Sequence, residues 1–365
     1  MTAEPSTVSG REERVLAIVE TARAKRARFR DERITMAHGA GGKASQSLIE
    51  GLLLPALGGE ALGRLSDAGE VSVDGLALAL TTDSYVVRPL RFPGGSIGDL
   101  AVNGTVNDLA VSGARPLALS LSLVLEEGLA AEDLRAEVDA IASAAARAGV
   151  AIITGDTKVV ERGHADGMYI CTTGLGQRDP RSSVSSTGIR PGDRILLSGS
   201  VGEHGMAIML ARGEFELEGA ISSDTASLWP AVDALLEAVG SRLHGLRDAT
   251  RGGVASVLNE LARSSAVAML VSESSIPVDR AVAGAAEILG IDPMYVANEG
   301  KLVAFVAPEA AAAALAALRA VPGCEQAAEI GEVRTRPPGM VLMETSFGGR
   351  RVLDQLVGDP LPRIC

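Results

Sequence analysis

Aromatic side chains are almost missing: Phe, Tyr and Trp together make up 2% of the 365 residues. Cores must therefore be built from Val, Leu, Ile and Ala, and 42 glycines imply frequent tight turns, a combination that favours α/β layers. Cysteine is scarce as well. Cys171, Cys324 and Cys365 give an odd total without Cys-x-x-Cys spacing, so neither a disulfide framework nor a thiolate zinc site is indicated. No apolar run approaches the roughly 20 residues of a membrane span, and "MTAEPSTVSGREERVLAIVE" lacks the basic region and apolar stretch of a secretory signal. A cytoplasmic protein is expected. A basic surplus is also lacking: the formal net charge of -12 excludes the basic stripe on which nucleic-acid binding rests.

What is there suits two folded domains: 47% hydrophobic and 22% charged residues. Residues 1–33 read as an amphipathic helical extension, because "EERVLAIVETARAKRARF" carries apolar residues at helical spacing. Residues 34–178 mix strand patterns ("LALALTTD", "LALSLSLVL", "AIITGDT", "MYICTTGLG") with helical ones. The Ser-, Pro- and Gly-rich "QRDPRSSVSSTGIRPGD" is the expected boundary. A second α/β unit follows at 186–347, and 348–365 form a tail. Both units set a strand against a Gly- and Asp-rich turn that opens a helix, so an internal duplication is expected.

"MAHGAGGKAS" invites a P-loop reading and fails it, since Ala37 stands where the first Gly belongs and Ala44 follows Lys43. Its glycines and Lys43 suit a phosphate, although a Gly hinge would read the same way. The acids are more telling. Asp67, Asp83, Asp108, Asp156 and Asp248 each sit at a strand end or in a Gly-bordered turn, where ligands gather in open α/β folds. Each alone reads as a cap or turn former. Together they would repel one another unless a divalent cation sat among them, and hard oxygen ligands select Mg²⁺. Lys158 and Arg251 are cations suited to phosphate, and Glu299 in "VANEGKL" is a candidate general base. His38, His164, His204 and His244 show no metal-ligand spacing.

Taken in order, "HGAGGKAS", "TTDSYVVRPLRFPGGSIGDLAVNGTVNDLAVSGARPLALS", "GDTKVV", "SGSVGEHGMAIM", "RDATRGGVASVLNELA", "DPMYVANEGKLVAF" and the terminal "LPRIC" resemble the HypE family of hydrogenase maturation proteins. The likeness runs from about Ile34 to Cys365. The acidic and Gly motifs alone are shared with aminoimidazole ribonucleotide synthetase and selenophosphate synthetase. The resemblance implies a two-domain aminoimidazole ribonucleotide synthetase-like α/β (α+β) fold with a flexible C-terminal tail, and a homodimer. It also implies an activity. In that family the terminal cysteine, here Cys365, is carbamoylated by a HypF-type carbamoyltransferase, then dehydrated with ATP to a thiocyanate. The cyano group passes to iron held by a HypC–HypD type complex. By resemblance Asp67, Asp83, Asp108, Asp156 and Asp248 serve the metal. Lys43, Gly41, Gly42, Asp83, Asn107, Asp156 and Arg251 serve the nucleotide, and Lys158 and Glu299 handle the amide protons. The long extension and Ala249, where the family commonly has Pro, depart from the pattern. Two rival readings remain: an ATP-dependent enzyme acting on a diffusible substrate, which leaves Cys365 without purpose, and a nucleotide-switched scaffold, which leaves Lys158 and Glu299 without one.

Overall fold

The structure is a computed structural model that describes residues 29–39, 42–59, 62–213 and 221–355. Most of the extension, Gly41 and Cys365 lie outside the described residues.

Strict alternation creates the first sheet. Along Leu76–Tyr85 (β2), Ala79, Thr81 and Tyr85 are buried while Leu80, Thr82 and Ser84 are exposed, the period-two signature of a strand with one covered face. Its partners are Gly69–Val73 (β1), Ala114–Glu126 (β5), Ala151–Val160 (β6) and Met168–Arg178 (β7), in the order β1-β2-β7-β5-β6. Only β5 and β6 pair in parallel, and the helix Ala131–Ala148 makes that crossover. A short ribbon, Arg91–Phe92 (β3) and Gly95–Ser96 (β4), leads into the helix Ile97–Val111. Ser96 caps that helix by accepting the Asp99 N–H. The helix is buried nearly all round because it lies between the first sheet and the second unit.

The second sheet takes the order β14-β13-β10-β12-β8-β11-β9. Its strands are Arg194–Leu197 (β8), Leu243–Asp248 (β9), Ala268–Ser272 (β10), Leu302–Val306 (β11), Ala328–Arg334 (β12), Val341–Glu344 (β13) and Arg350–Val352 (β14). Every residue of β11 is buried, as a continuous apolar run should be when both faces are covered. The strand orders of the two sheets differ, so the expected duplication does not hold: the shared turn chemistry reflects a common need at strand ends.

The assigned tail also needs correction. Residues 350–352 pair with β13, Leu353 is fully buried and Gln355 nearly so, so 348–355 belong to the second unit. The run "RRVLDQL" hides this because β14 is only three residues long, too short for alternation to register.

Candidate active site

Three elements bring carboxylates to one place. Asp67 precedes β1, Asp108 lies in the last turn of the Ile97–Val111 helix and Asp248 closes β9. One oxygen from each lies within 4.8 Å of the others. Thr81 on β2 supports two of them, its Oγ1 standing 2.8 Å from Asp108 Oδ2 and 2.9 Å from the Asp67 carbonyl. Asp83, two residues on and on the same face, adds its charge to Asp108 and Asp248. Arg247 grips the Asp67 carboxylate and reaches Glu260 at 3.7 Å. Beside Asp67 a cavity of about 540 Å³ opens between the two units, with Arg178 and Arg247 in its wall.

The turn after β9 is shaped by backbone rather than side chains. Gly252 and Gly253 both adopt positive φ, and a Cβ on Gly253 would stand 2.5 Å from the Met294 carbonyl, so only glycine lets this loop close against the 294–298 segment. Ala249 donates its N–H to the Lys301 carbonyl at 2.9 Å, a bond that Pro could not make. Asn298, fully buried, donates to the Ala249 and Val296 carbonyls and accepts the Gly202 N–H. Glu299 comes next and is 3% exposed. Among the described residues its carboxyl has no hydrogen-bond partner.

Such crowding raises proton affinity. Burial first, then Asp248, Asp67 and Asp83, holds Asp108 well above the usual carboxylate range. Burial and Asp67 push Asp248 up to about 7. Glu299 is held well up by burial, Asp248, Asp224 and Asp83. The donors at this convergence are all oxygens, so the residues fit a hard divalent cation of the Mg²⁺ type, which would relieve the repulsion.

A stability dependence on pH follows. With Asp248 near 7 when folded and about 4 when unfolded, the folded chain alone holds that proton between those values. Asp248 therefore lowers stability progressively as pH rises from about 4 to 7, by an amount on the order of a few kcal/mol, and no further above 7. Urea unfolding without divalent cations should show Asp248→Asn gaining on the parent as pH rises from 5 to 8. A difference that shrinks over that range would contradict the assignment.

The other expected residues divide. Arg251 is at the site: its guanidinium stands 3.7 Å from Asp83 and donates to the Gly39 carbonyl at 3.0 Å, which brings the start of the Gly loop to the rim. Gly42 caps the helix Lys43–Leu48, and Lys43 pairs with Asp354 at 3.1 Å. Asn107 is spent elsewhere. It is 1% exposed, donates to the Ala226 and Glu299 carbonyls and accepts the Leu228 N–H, so its amide braces the protein instead of meeting a nucleotide. Asp156 and Lys158 pair with each other at 2.5 Å, both more than 60% exposed on the edge strand β6. Within one chain they are not joined to the cluster, because β7 and β5 intervene between β2 and β6. Gly41 and Cys365 lie outside the described residues. His244 pairs with Asp193 and His38 with Asp31, both structural. Sequence reading missed Thr81, Arg247 and Asp224. Arg247 adjoins Asp248, but alternation along β9 directs neighbours to opposite faces and gave no signal.

Residues 65–177 match the family model of the AIR synthase related protein, N-terminal domain, and 190–342 that of the C-terminal domain. Carbamoyl dehydratase HypE of Bradyrhizobium diazoefficiens is 50% identical over 332 residues, covering 91% of this chain and 96% of that protein. The Rhodobacter capsulatus protein of the same name is 48% identical over 341 residues, 92% and 99% of the two chains. Among solved structures, a HypE–HypF complex matches with a TM-score of 0.81 at 42% identity over 85% of this chain and 99% of that one. HypE in complex with ATP matches with a TM-score of 0.77 at 45% identity, over 91% and 100%. The chain belongs to the carbamoyl dehydratase HypE family, and its two units are the paired domains of AIR synthase related proteins.

Proposed function

We propose that this enzyme dehydrates an S-carbamoyl group carried on its own Cys365 to a thiocyanate, using ATP and releasing ADP and phosphate. One observation supports it above the rest. The last described residues run into the site: Arg263 binds the Gln355 carboxamide, Gln355 lies 3.5 Å from Glu260, Glu260 lies 3.7 Å from Arg247, and Arg247 holds Asp67. Ten residues then lead to Cys365, and ten extended residues span at most about 33–36 Å. A tail that starts two side chains from the carboxylates has ample length to present its thiol there.

The carbamoyl oxygen takes the γ-phosphoryl group of ATP and ADP departs; the nitrogen then gives up one proton to Glu299 and the other to solvent as the C–O bond breaks, leaving phosphate and S–C≡N. Asp67, Asp83, Asp108 and Asp248 would hold Mg²⁺, which supplies charge neutralisation for the phosphates. Glu299, buried beside them, accepts a proton from the amide nitrogen. Arg251 and the loop ending at Gly42 and Lys43 sit where they can cover the nucleotide.

Lys158 and Asp156 enter this reading through a homodimer. Among the described residues both edges of the first sheet are bare: β1 is exposed throughout, as is nearly all of β6, with Val71, Val73, Ile153 and Val159 facing solvent. Long apolar edges invite pairing with a second copy, which would carry β6 toward the partner's β1 and β2. Light scattering should find a dimer, and Ile153→Asp should convert it to a monomer with dehydration lost. A parent protein that is monomeric at full activity would remove the claim.

The HypE–HypF complex supports a HypF-type carbamoyltransferase as the partner that loads Cys365; a HypC–HypD type iron complex is our proposed acceptor. No helix of the described residues is long and apolar enough to cross a membrane, and we place the reaction in the cytoplasm. The test is intact mass after loading with carbamoyl phosphate and the carbamoyltransferase. Loss of one water only on adding Mg-ATP supports the proposal. An adduct that never dehydrates overturns it.

A further inference from the structure

Between the two units runs the segment 221–228, stitched to both. Ser223 donates its N–H to the Pro93 carbonyl at 2.7 Å, and Asn103 on the Ile97–Val111 helix donates to Thr225 Oγ1 at 3.1 Å. At its centre is Asp224, its side chain 4% exposed. Its Oδ1 accepts the Glu299 N–H at 3.0 Å, and its Oδ2 accepts the Gly300 N–H and the Lys301 ammonium, each at 3.2 Å. A Cβ on Gly300 would lie 1.9 Å from the Asp224 carbonyl, so the segment sits directly on the turn that carries Glu299.

Burying an Asp–Lys pair seldom adds net stability against apolar residues of the same size. A reason for its place is geometric. Two of the three donors on Asp224 are backbone N–H groups of Glu299 and its neighbour, while the Glu299 carbonyl accepts from Asn107 at 3.3 Å. Asn107 is adjacent to Asp108 on the same helix. The Glu299 residue is thus gripped by Asp224 on its N–H side and, on its C=O side, by the helix that supplies a carboxylate of the cluster. Among the described residues its own carboxyl has no hydrogen-bond partner.

We propose that Asp224 is a positioning residue: it fixes the backbone of Glu299 so that this carboxyl stands in register with the carboxylate cluster. The inference rests on the reading of Glu299 as the base. Misplacing a reacting group by about 1 Å costs on the order of 10²-fold in rate.

The test uses the full chain loaded on Cys365, comparing Asp224→Asn, the charge-balanced Asp224→Asn/Lys301→Met, and each combined with Glu299→Gln. Expected is a fall in single-turnover dehydration of about 10–100-fold with KM for ATP changed less than about twofold. On the Glu299→Gln background the same changes should cost nothing further, because residues acting as a unit are not additive. Additive losses on that background, a parallel rise in KM for ATP, or unchanged turnover in both Asp224 variants would overturn the positioning role. Parental turnover in Glu299→Gln alone is a separate result: it would remove the base assignment itself, and the present inference with it.

Discussion

Cys365→Ala should abolish thiocyanate formation completely while leaving Mg-ATP binding within about twofold of the parent. The size of the effect follows from covalent chemistry. The thiol is the only atom proposed to carry the carbamoyl group, and a methyl side chain offers no nucleophile in its place. Cys171 is half-buried in β7 and Cys324 is buried, where burial raises the Cys324 thiol above its ordinary value and so keeps it protonated and unreactive. Neither stands in for a thiol at the end of a ten-residue arm. Intact mass measures the outcome: the variant should gain no carbamoyl group and no ATP-dependent loss of water. A variant that still consumes ATP at the parental rate on a diffusible amide would instead establish the rival reading, with the tail irrelevant to chemistry.

Asp108→Asn should slow dehydration by about 10²–10³-fold at saturating ATP, the scale seen when one preorganised electrostatic group is lost, and raise the Mg²⁺ concentration needed for half activity. The same change should stabilise the metal-free protein at pH 8. Asp108 faces Asp67, Asp248 and Asp83, and an amide relieves their repulsion while its oxygen can still accept from Thr81. Opposite signs in activity and metal-free stability mark a group kept for function against the interest of the fold. Titrating Mg²⁺ in both assays separates the effects. A variant that loses activity and metal-free stability together would make Asp108 structural.

Part of the site was legible because Asp67, Asp248 and Arg251 lie in or beside Gly-bordered segments, and an acid followed by glycines at a strand end has few structural excuses once it recurs. Asp83, by contrast, lies within β2 and Asp108 within a helix. Asp224 carried no such mark. "SSDTAS" reads as an ordinary polar loop, and its importance arises from contacts with residues 299–301, some 75 positions away. Asn107 differs in another way: the resemblance made it a nucleotide ligand, yet successive helical residues point about 100° apart, and its amide faces the other unit. Asp156 and Lys158 show the limit in a third way. Their motif is plain in the sequence, but strand order puts them on an edge three strands from Asp83.

By itself the sequence determined the layered α/β class, because composition, turn chemistry and residue type act locally; the boundary after Arg178, the oxygen ligands and the role of the terminal thiol are proposals that it raised. The tertiary structure decided which acids converge and which pair off on an edge, where the tail takes root, and what aims Glu299. Those depend on strand order and on bonds between the two units, and local pattern encodes neither.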